Sequence, residues 1–232
     1  MLTIIPTPIG NLEDITLRAI RSLREADYIA VEDTRHASIL LRHLEISKPL
    51  VSFHEHNEAA RSAELIGRLK SGFRVAVISD AGMPGISDPG GRLIRLCITE
   101  KLPFTVLPGP SAVPTALVGS GFPTEKFYFG GFLPNKSGQR STELQRAIHR
   151  QETSVYFESP HRLIKSLTAL TEIAPQITIC VARELSKKFE EYRRGSAAEI
   201  LEHFTHHPPK GEIVLLMHAT RKQLSVPASI TI

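Results

Sequence analysis

Apolar residues along this chain alternate between two textures. Short continuous runs occupy 2–5, 28–31, 50–53, 75–78 and 104–107, the pattern of strands buried on both faces of a parallel sheet. Between them, apolar positions recur at three- and four-residue spacing: Leu17, Ile20 and Leu23; Ile39, Leu40 and Leu44; Ala59, Ala63, Ile66 and Leu69; then Leu93, Ile94, Cys97 and Ile98. That is the stripe of a helix with one face on a sheet. A last helical run covers 113–118. Strands alternating with helices predict βαβ units and a mostly parallel sheet.

After residue 118 the texture changes. Gly119, Gly121 and Pro123 mark a linker within 119–124, and the domain boundary is expected there. An aromatic strand at 127–133 carries the pair Gly130–Gly131, which reads as a bulge. A polar, basic loop is expected at 134–140 and a polar helix at 141–150. Strands at 154–157, 177–182, 189–194 and 213–217 alternate with helices carrying Leu163, Leu167 and Leu170, and Ile200, Leu201 and Phe204. The expected architecture is therefore α/β: two small domains with mostly parallel or mixed sheets, 1–118 and 119–218. A tail at 219–232 reads as disordered.

Composition narrows the class. The 232 residues are 41% hydrophobic and 22% charged, ordinary for a soluble globular protein. A formal charge of +4 permits an anionic partner. The only two cysteines, Cys97 and Cys180, sit in apolar runs and read as buried, reduced thiols. No apolar run approaches the ~20 residues of a membrane span, and the first residues lack a signal-peptide pattern, so a cytoplasmic protein is expected.

Candidate chemistry sits where strands end. The run after Ile78 holds Gly82, Pro84, Gly85, Gly90 and Gly91, with Asp88–Pro89 placed to start a helix. It matches neither G-x-x-x-x-G-K-[ST] nor G-x-G-x-x-G. A second special turn, Pro108-Gly-Pro-Ser-Ala112, follows the strand at 104–107. Two such turns suggest one shared ligand site at the carboxyl edge of a sheet. Charged groups gather at the same edges: Glu32-Asp33-Thr34-Arg35, His54-Glu55-His56, Asp80, Glu158 to Arg162, and Arg183-Glu184. Helix capping alone would also account for Asp33, Thr34 and Asn57. His54 and His56 lack an evident third ligand, so no metal is expected. His203, His206 and His207 precede Pro208–Pro209 at a helix end, a structural position. Arg140, Arg146, Arg150, Arg183, Lys187, Lys188, Arg193 and Arg194 make the second half locally basic.

Six stretches together carry a resemblance: Thr7-Pro-Ile-Gly-Asn-Leu-Glu-Asp-Ile-Thr-Leu17, Glu32-Asp-Thr-Arg35, Phe53-His-Glu-His-Asn57, the run 79–90, Leu107-Pro-Gly-Pro-Ser-Ala112, and Glu158-Ser-Pro-His-Arg162. In this order they resemble the ribosomal RNA small subunit methyltransferase I family of the tetrapyrrole methylase superfamily, the class III S-adenosylmethionine methyltransferases. The resemblance implies two α/β domains with S-adenosylmethionine in the cleft between them, and a homodimer. It implies 2′-O-methylation of a cytidine ribose (cytidine 1402) in the decoding region of 16S rRNA, within the small ribosomal subunit. Carried over by position, the cofactor touches Ile9, Ala81, Gly82, Met83, Ile86, Ser111, Ala112, Glu158 and Leu185. Met83 departs from the threonine usual in the family. Asp33, His54 and Glu55 are the candidate bases for the hydroxyl proton. Arg35, Arg162, Arg183, Lys187 and Lys188 are the candidates for holding phosphate or ribose. A small-molecule methylase of the same superfamily and a non-catalytic rRNA-binding module are the alternatives.

Overall fold

The structure is a computed structural model describing residues 1–219. The chain forms two compact units, Met1–Ser111 and Ala112–Ile232.

The first unit is a five-stranded, all-parallel sheet: β1 (Leu2–Ile4), β2 (Tyr28–Val31), β3 (Leu50–Ser52), β4 (Val75–Ile78) and β5 (Phe104–Val106), in the order β3-β2-β4-β1-β5. All four residues of the central β4 are buried, because helices cover both faces. The two-residue period divides its side chains. Ala76 and Ile78 pack with Leu23, Leu40, Leu41 and Leu107, under α1 (Leu17–Glu25) and α2 (Thr34–His43). Val75 and Val77 pack with Phe53, Leu65, Leu69, Leu93 and Cys97, under α3 (Glu58–Lys70) and α4 (Gly91–Thr99). The chain leaves β1 toward the first face and β4 toward the second. Their adjacent carboxyl ends therefore bound a topological switch point, where open α/β sheets bind ligands.

Caps fix the helix starts. Thr16 Oγ1 accepts the Ala19 N–H at 3.1 Å, and Asp33 caps α2. The expected start of α4 at Asp88–Pro89 is corrected. The helix begins at Gly91 behind Gly90, whose φ of 133° suits only glycine, and no side chain of its own caps it. Instead Glu58, the first residue of α3, accepts the N–H groups of Gly90 (3.0 Å) and Arg92 (3.3 Å). A carboxylate at a helix N-terminus satisfies donors with no intrahelical partner and opposes the positive dipole end. Glu58→Ala is expected to cost about 1 kcal/mol in chemical denaturation. An unchanged midpoint would show that water replaces this carboxylate without loss.

The second unit contains α5 (Ala112–Ser120), β6 (Phe127–Phe132), α6 (Ser137–His149), β7 (Thr153–Glu158), α7 (Leu163–Ile173), β8 (Thr178–Arg183), β9 (Glu191–Ser196), α8 (Ala197–His206) and β10 (Ile213–His218). Its sheet is mixed, ordered β6-β7-β10-β8-β9, with β6 and β7 parallel and the other pairs antiparallel. Leu144, Tyr156, Leu167, Val181, Ile200, Phe204 and Leu215 form its main core with α6, α7 and α8. Helix α5 packs on β8, β9 and β10. The Tyr192 ring lies where a Cβ on Gly119 would stand, and Arg194 donates to the carbonyls of Gly119 and Ser120 at the end of α5. These contacts group α5 with the second sheet, and the linker-like run 119–124 begins within the last two residues of that helix.

The bulge expected at Gly130–Gly131 is met, and local expectations are adjusted at α6, at β9 and at the tail. The register of β6 on β7 shifts between Phe129 and Phe132, where the glycine pair stands. Helix α6 starts at Ser137, so the loop expected at 134–140 is shorter. The Arg140 N–H already bonds the Lys136 carbonyl at 2.9 Å, and the Arg140 side chain is buried against the Asn135 carbonyl. Strand β9 starts two residues later than expected, at Glu191. Of the tail, 220–232 lie outside the described residues, and Ala219 is buried in the main core. Both cysteines are free and buried. Burial pushes both thiols up, Cys180 to about 11, so neither is a thiolate at neutral pH.

Candidate functional site

Three loops of the first unit converge above the switch point. The loop after β1 and the loop after β4 are latched by a reciprocal backbone pair. The Thr7 N–H donates to the Gly82 carbonyl (2.9 Å) and the Gly82 N–H to the Thr7 carbonyl (3.0 Å). Thr7 is buried, and its hydroxyl donates to the Ser79 carbonyl at 3.1 Å. Gly82 has a φ of +77°, and a Cβ there would lie 3.3 Å from Ile9 Cγ2 and 3.8 Å from the Pro110 carbonyl oxygen. That one position thus touches the loops after β1 and β5 together. A Cβ on Gly109 would lie 3.0 Å from Pro6 Cβ, so the first and third loops are packed as closely.

Around this junction stand the first-unit residues expected at a ligand. Ile9 and Gly82 are buried, Ala81, Met83 and Ser111 half-buried, and Ile86 exposed. The Ile86 N–H closes a turn onto the Met83 carbonyl at 3.2 Å. The surface offered combines backbone polar groups with the apolar side chains of Ile9, Ala81, Met83 and Ile86.

The charged groups lie beside it, on the neighbouring strand ends. Asp80, after β4, accepts the Asp33 N–H at 3.2 Å. Asp33 is an N-cap: Oδ1 takes the Arg35 N–H at 2.8 Å, and the Arg35 guanidinium grips both oxygens. Those bonds from Arg35 hold its carboxyl down at about 2. Arg35, expected to hold substrate, is thus bound to Asp33, although its side chain is 90% exposed. His54 Nε2 lies 3.1 Å from Asn57 Nδ2, and its buried Nδ1 has no partner among the described residues. Asn57 stands at the N-cap position of α3 but bonds the His54 N–H and the Ser52 carbonyl instead of capping. Glu55 is exposed in the turn after β3. Among the described residues no three metal-ligating side chains gather.

Sequence reasoning placed Glu32 in this group without naming it a candidate base. It directly follows β2, half-buried, and accepts a hydrogen bond from the Asp80 backbone. Burial and then the Asp80 charge push its carboxyl above the usual glutamate range. The available signal was its position: the first polar residue after a buried strand that neighbours β4.

In the second unit Glu158 ends β7 with its carboxylate buried and fully engaged. It accepts from the Ser159 N–H (2.8 Å), from Ser166 Oγ and from the Arg162 guanidinium (3.0 Å). Arg162 also donates to the Leu133 carbonyl and to Asn135. Arg183 pairs with Glu191 at 2.7 Å, and Lys187 joins Glu184 and Glu212 at 2.9 and 2.8 Å. Leu185 is buried between them, and Ala112 is half-buried at the start of α5. Of the five cations expected to hold substrate, only Lys188 has no acidic partner among the described residues. His203 and His207 stack at the end of α8, where the His207 N–H donates to the His203 carbonyl.

Comparison with known proteins gives the family. The family model for Tetrapyrrole (Corrin/Porphyrin) Methylases matches residues 1–201. A ribosomal RNA small subunit methyltransferase I of Hydrogenobaculum sp. is 46% identical over 220 residues, covering 93% of this chain and 94% of the relative. One of Thermotoga maritima is 45% identical over 217 residues, covering 93% and 97%. The crystal structure of the uroporphyrin-III C-methyltransferase of Thermus thermophilus, complexed with S-adenosyl homocysteine, superposes with a TM-score of 0.65 at 18% identity, covering 94% and 96%. That likeness shows the shared fold. With both a family model over most of its length and relatives near half identity over nearly all of it, the chain belongs to the tetrapyrrole methylases and, among them, to the ribosomal RNA small subunit methyltransferase I family.

Proposed function

We propose that this protein methylates small-subunit ribosomal RNA, taking the methyl group from S-adenosylmethionine and placing it on the 2′-hydroxyl of a cytidine ribose in the decoding region. The observation that carries this reading is the 45–46% identity, over 93% of the chain, to two enzymes named for small-subunit rRNA methylation. A homodimer acting in the cytoplasm accompanies it. Among the described residues no helix is long and apolar enough to cross a membrane.

The first-unit loops fit the cofactor. Two other loops come within van der Waals distance of the place a Cβ on Gly82 would take, and the three loops present backbone polar groups beside Ile9, Ala81, Met83 and Ile86. Such a surface suits a nucleoside and its amino-acid tail. Replacing Gly82 by alanine strains a left-handed backbone and crowds Ile9. The expected result is about 1–2 kcal/mol of lost stability and at least tenfold weaker S-adenosylmethionine binding by calorimetry. Unchanged affinity would place the cofactor elsewhere.

When bound, S-adenosylmethionine supplies a methyl group activated by a sulfonium. The protein holds the attacking hydroxyl in line and receives its proton. We assign the proton to Glu32. Asp33 is committed to Arg35, and His54 Nε2 faces Asn57, whereas Glu32 stands half-buried beside Asp80 with the raised proton affinity a base needs. Asp33 and Asp80 hold the β2 and β4 ends together through the Asp33 N–H.

The test is transfer of tritium from labelled S-adenosylmethionine to small ribosomal subunits purified from cells lacking the enzyme, beside naked rRNA and a tetrapyrrole substrate. Labelled rRNA supports the reading. Label in the tetrapyrrole alone would make this a small-molecule methylase.

A further inference from the structure

The loop joining β8 to β9 is braced far more heavily than a hairpin of its length requires. Glu184 and Ser186 both hold left-handed backbones, with φ of 51° and 65°. Non-glycine residues keep that conformation only where surrounding bonds impose it. Here the bonds are plain. Lys187 Nζ joins Glu184 (2.9 Å) to Glu212 (2.8 Å), and the Ser186 N–H donates to the Glu190 carboxylate at 2.6 Å. The Lys187 N–H reaches the Glu184 carbonyl and the Glu190 N–H the Lys187 carbonyl, while Leu185 is buried beneath.

This bracing presents two side chains to solvent. Phe189 is 65% exposed, and Lys188 is exposed with Nζ 5.6 Å from the Phe189 ring centroid. The other charges of the loop are committed: Arg183 to Glu191, Lys187 to Glu184 and Glu212, and Glu190 back onto Ser186. What remains available is an aromatic face and a cation side by side on a fixed backbone. A single-stranded nucleic acid is recognised by that combination, a base stacking on the ring and its phosphate meeting the ammonium. A protein partner would meet an apolar surface of one ring with a charge at its edge, too small to exclude water.

We propose that the β8–β9 loop is a stacking platform, in which Phe189 receives an unstacked base of the RNA substrate and Lys188 contacts the adjoining phosphate. The proposal rests on the reading of the protein as an rRNA methyltransferase. It makes Phe189 a positioning residue: it holds the RNA and does not touch the reacting atoms.

The experiment compares wild type with Phe189→Ala, Phe189→Leu, Phe189→Trp and Lys188→Ala. The readouts are KM for small ribosomal subunits lacking the modification, S-adenosylmethionine affinity, and mass in solution by light scattering. Phe189→Ala is expected to raise KM for subunits about tenfold and leave cofactor affinity and oligomeric state unchanged. Tryptophan should restore KM and leucine should not, because stacking needs a π-face. Lys188→Ala should lower the slope of log affinity against log salt by about one. An unchanged KM in Phe189→Ala, or rescue by leucine as complete as by tryptophan, overturns the platform. A changed oligomeric state also overturns it and assigns the ring to a second copy of the chain. Wild-type transfer to subunits in the same assay separates the two claims. If wild type methylates rRNA and Phe189→Ala does so equally well, only the platform fails. If wild type ignores rRNA, the functional reading fails and takes the platform with it.

Discussion

Replacing Glu32 by glutamine is expected to lower kcat for rRNA methylation about a hundredfold or more while leaving S-adenosylmethionine affinity within about twofold. Glutamine keeps the shape and the acceptor oxygen that takes the Asp80 N–H, so the loops should stay in place, but it cannot accept the hydroxyl proton. The pH profile gives the sharper reading. Burial, then the Asp80 charge, and last Asp33 raise the Glu32 carboxyl, while the Asp80 backbone N–H and then His54 partly offset them. A base works only when ionised. Activity should therefore fall as pH drops through a value above the ordinary glutamate range, and this acid limb should vanish in the residual activity of Glu32→Gln. Asp33 predicts something different. Its carboxyl, held at about 2 by Arg35, stays ionised through the mildly acidic and neutral range and produces no limb there. An acid limb that persists in Glu32→Gln would return the role to another group. The same shift carries a stability sign. A carboxyl whose folded value is raised favours the folded state at pH below that value, and the contribution is lost as pH rises through it.

The second large effect is on stability. Arg162→Leu should destabilise the second unit by about 2–3 kcal/mol in denaturation. The Glu158 carboxylate is 1% exposed and would keep only the Ser159 N–H and the Ser166 hydroxyl. Removing one member of a buried pair leaves the other charge desolvated, and here it also releases the Leu133 carbonyl and Asn135 from the guanidinium. A residue that serves chiefly to hold phosphate behaves oppositely: its loss weakens RNA binding and spares the denaturation midpoint. Unchanged stability with weakened rRNA binding would restore Arg162 as a substrate contact.

These two residues illustrate what the sequence makes legible. The central strands of the first unit were readable because β2 and β4 are apolar on both faces, and Tyr28–Val31 and Val75–Ile78 match the expected bounds. The stretches after β1, β4 and β5 were readable as special turns, since glycine and proline clustered at a strand end punctuate the chain and force it to turn. Their mutual latch through Thr7 and Gly82 was not, because it depends on strand order: β1 and β4 are adjacent in space with about seventy residues between them. Charge pairing was hidden for a more local reason. Arg162 and Arg183 read as available cations, yet Glu158, four residues before Arg162, and Glu191, opposite Arg183 in the β8–β9 register, claim them. Asp88 read as a cap because the local pattern is right. Glu58 displaced it because α3 and α4 lie side by side on one face of the sheet. Glu32 was named among the strand-end charges but not as a base, because its altered proton affinity comes from burial beside Asp80, a neighbour set by the β2–β4 pairing.

The identity of the modified nucleotide tests the proposed function most directly. Small subunits from cells lacking the enzyme would be incubated with S-adenosylmethionine and the purified protein, and the 16S rRNA digested and mapped by mass spectrometry. The expected result is a single new 2′-O-methylcytidine in the decoding region. A methyl group on a base, on a nucleotide outside that region, or on no rRNA nucleotide despite measured cofactor binding would contradict it.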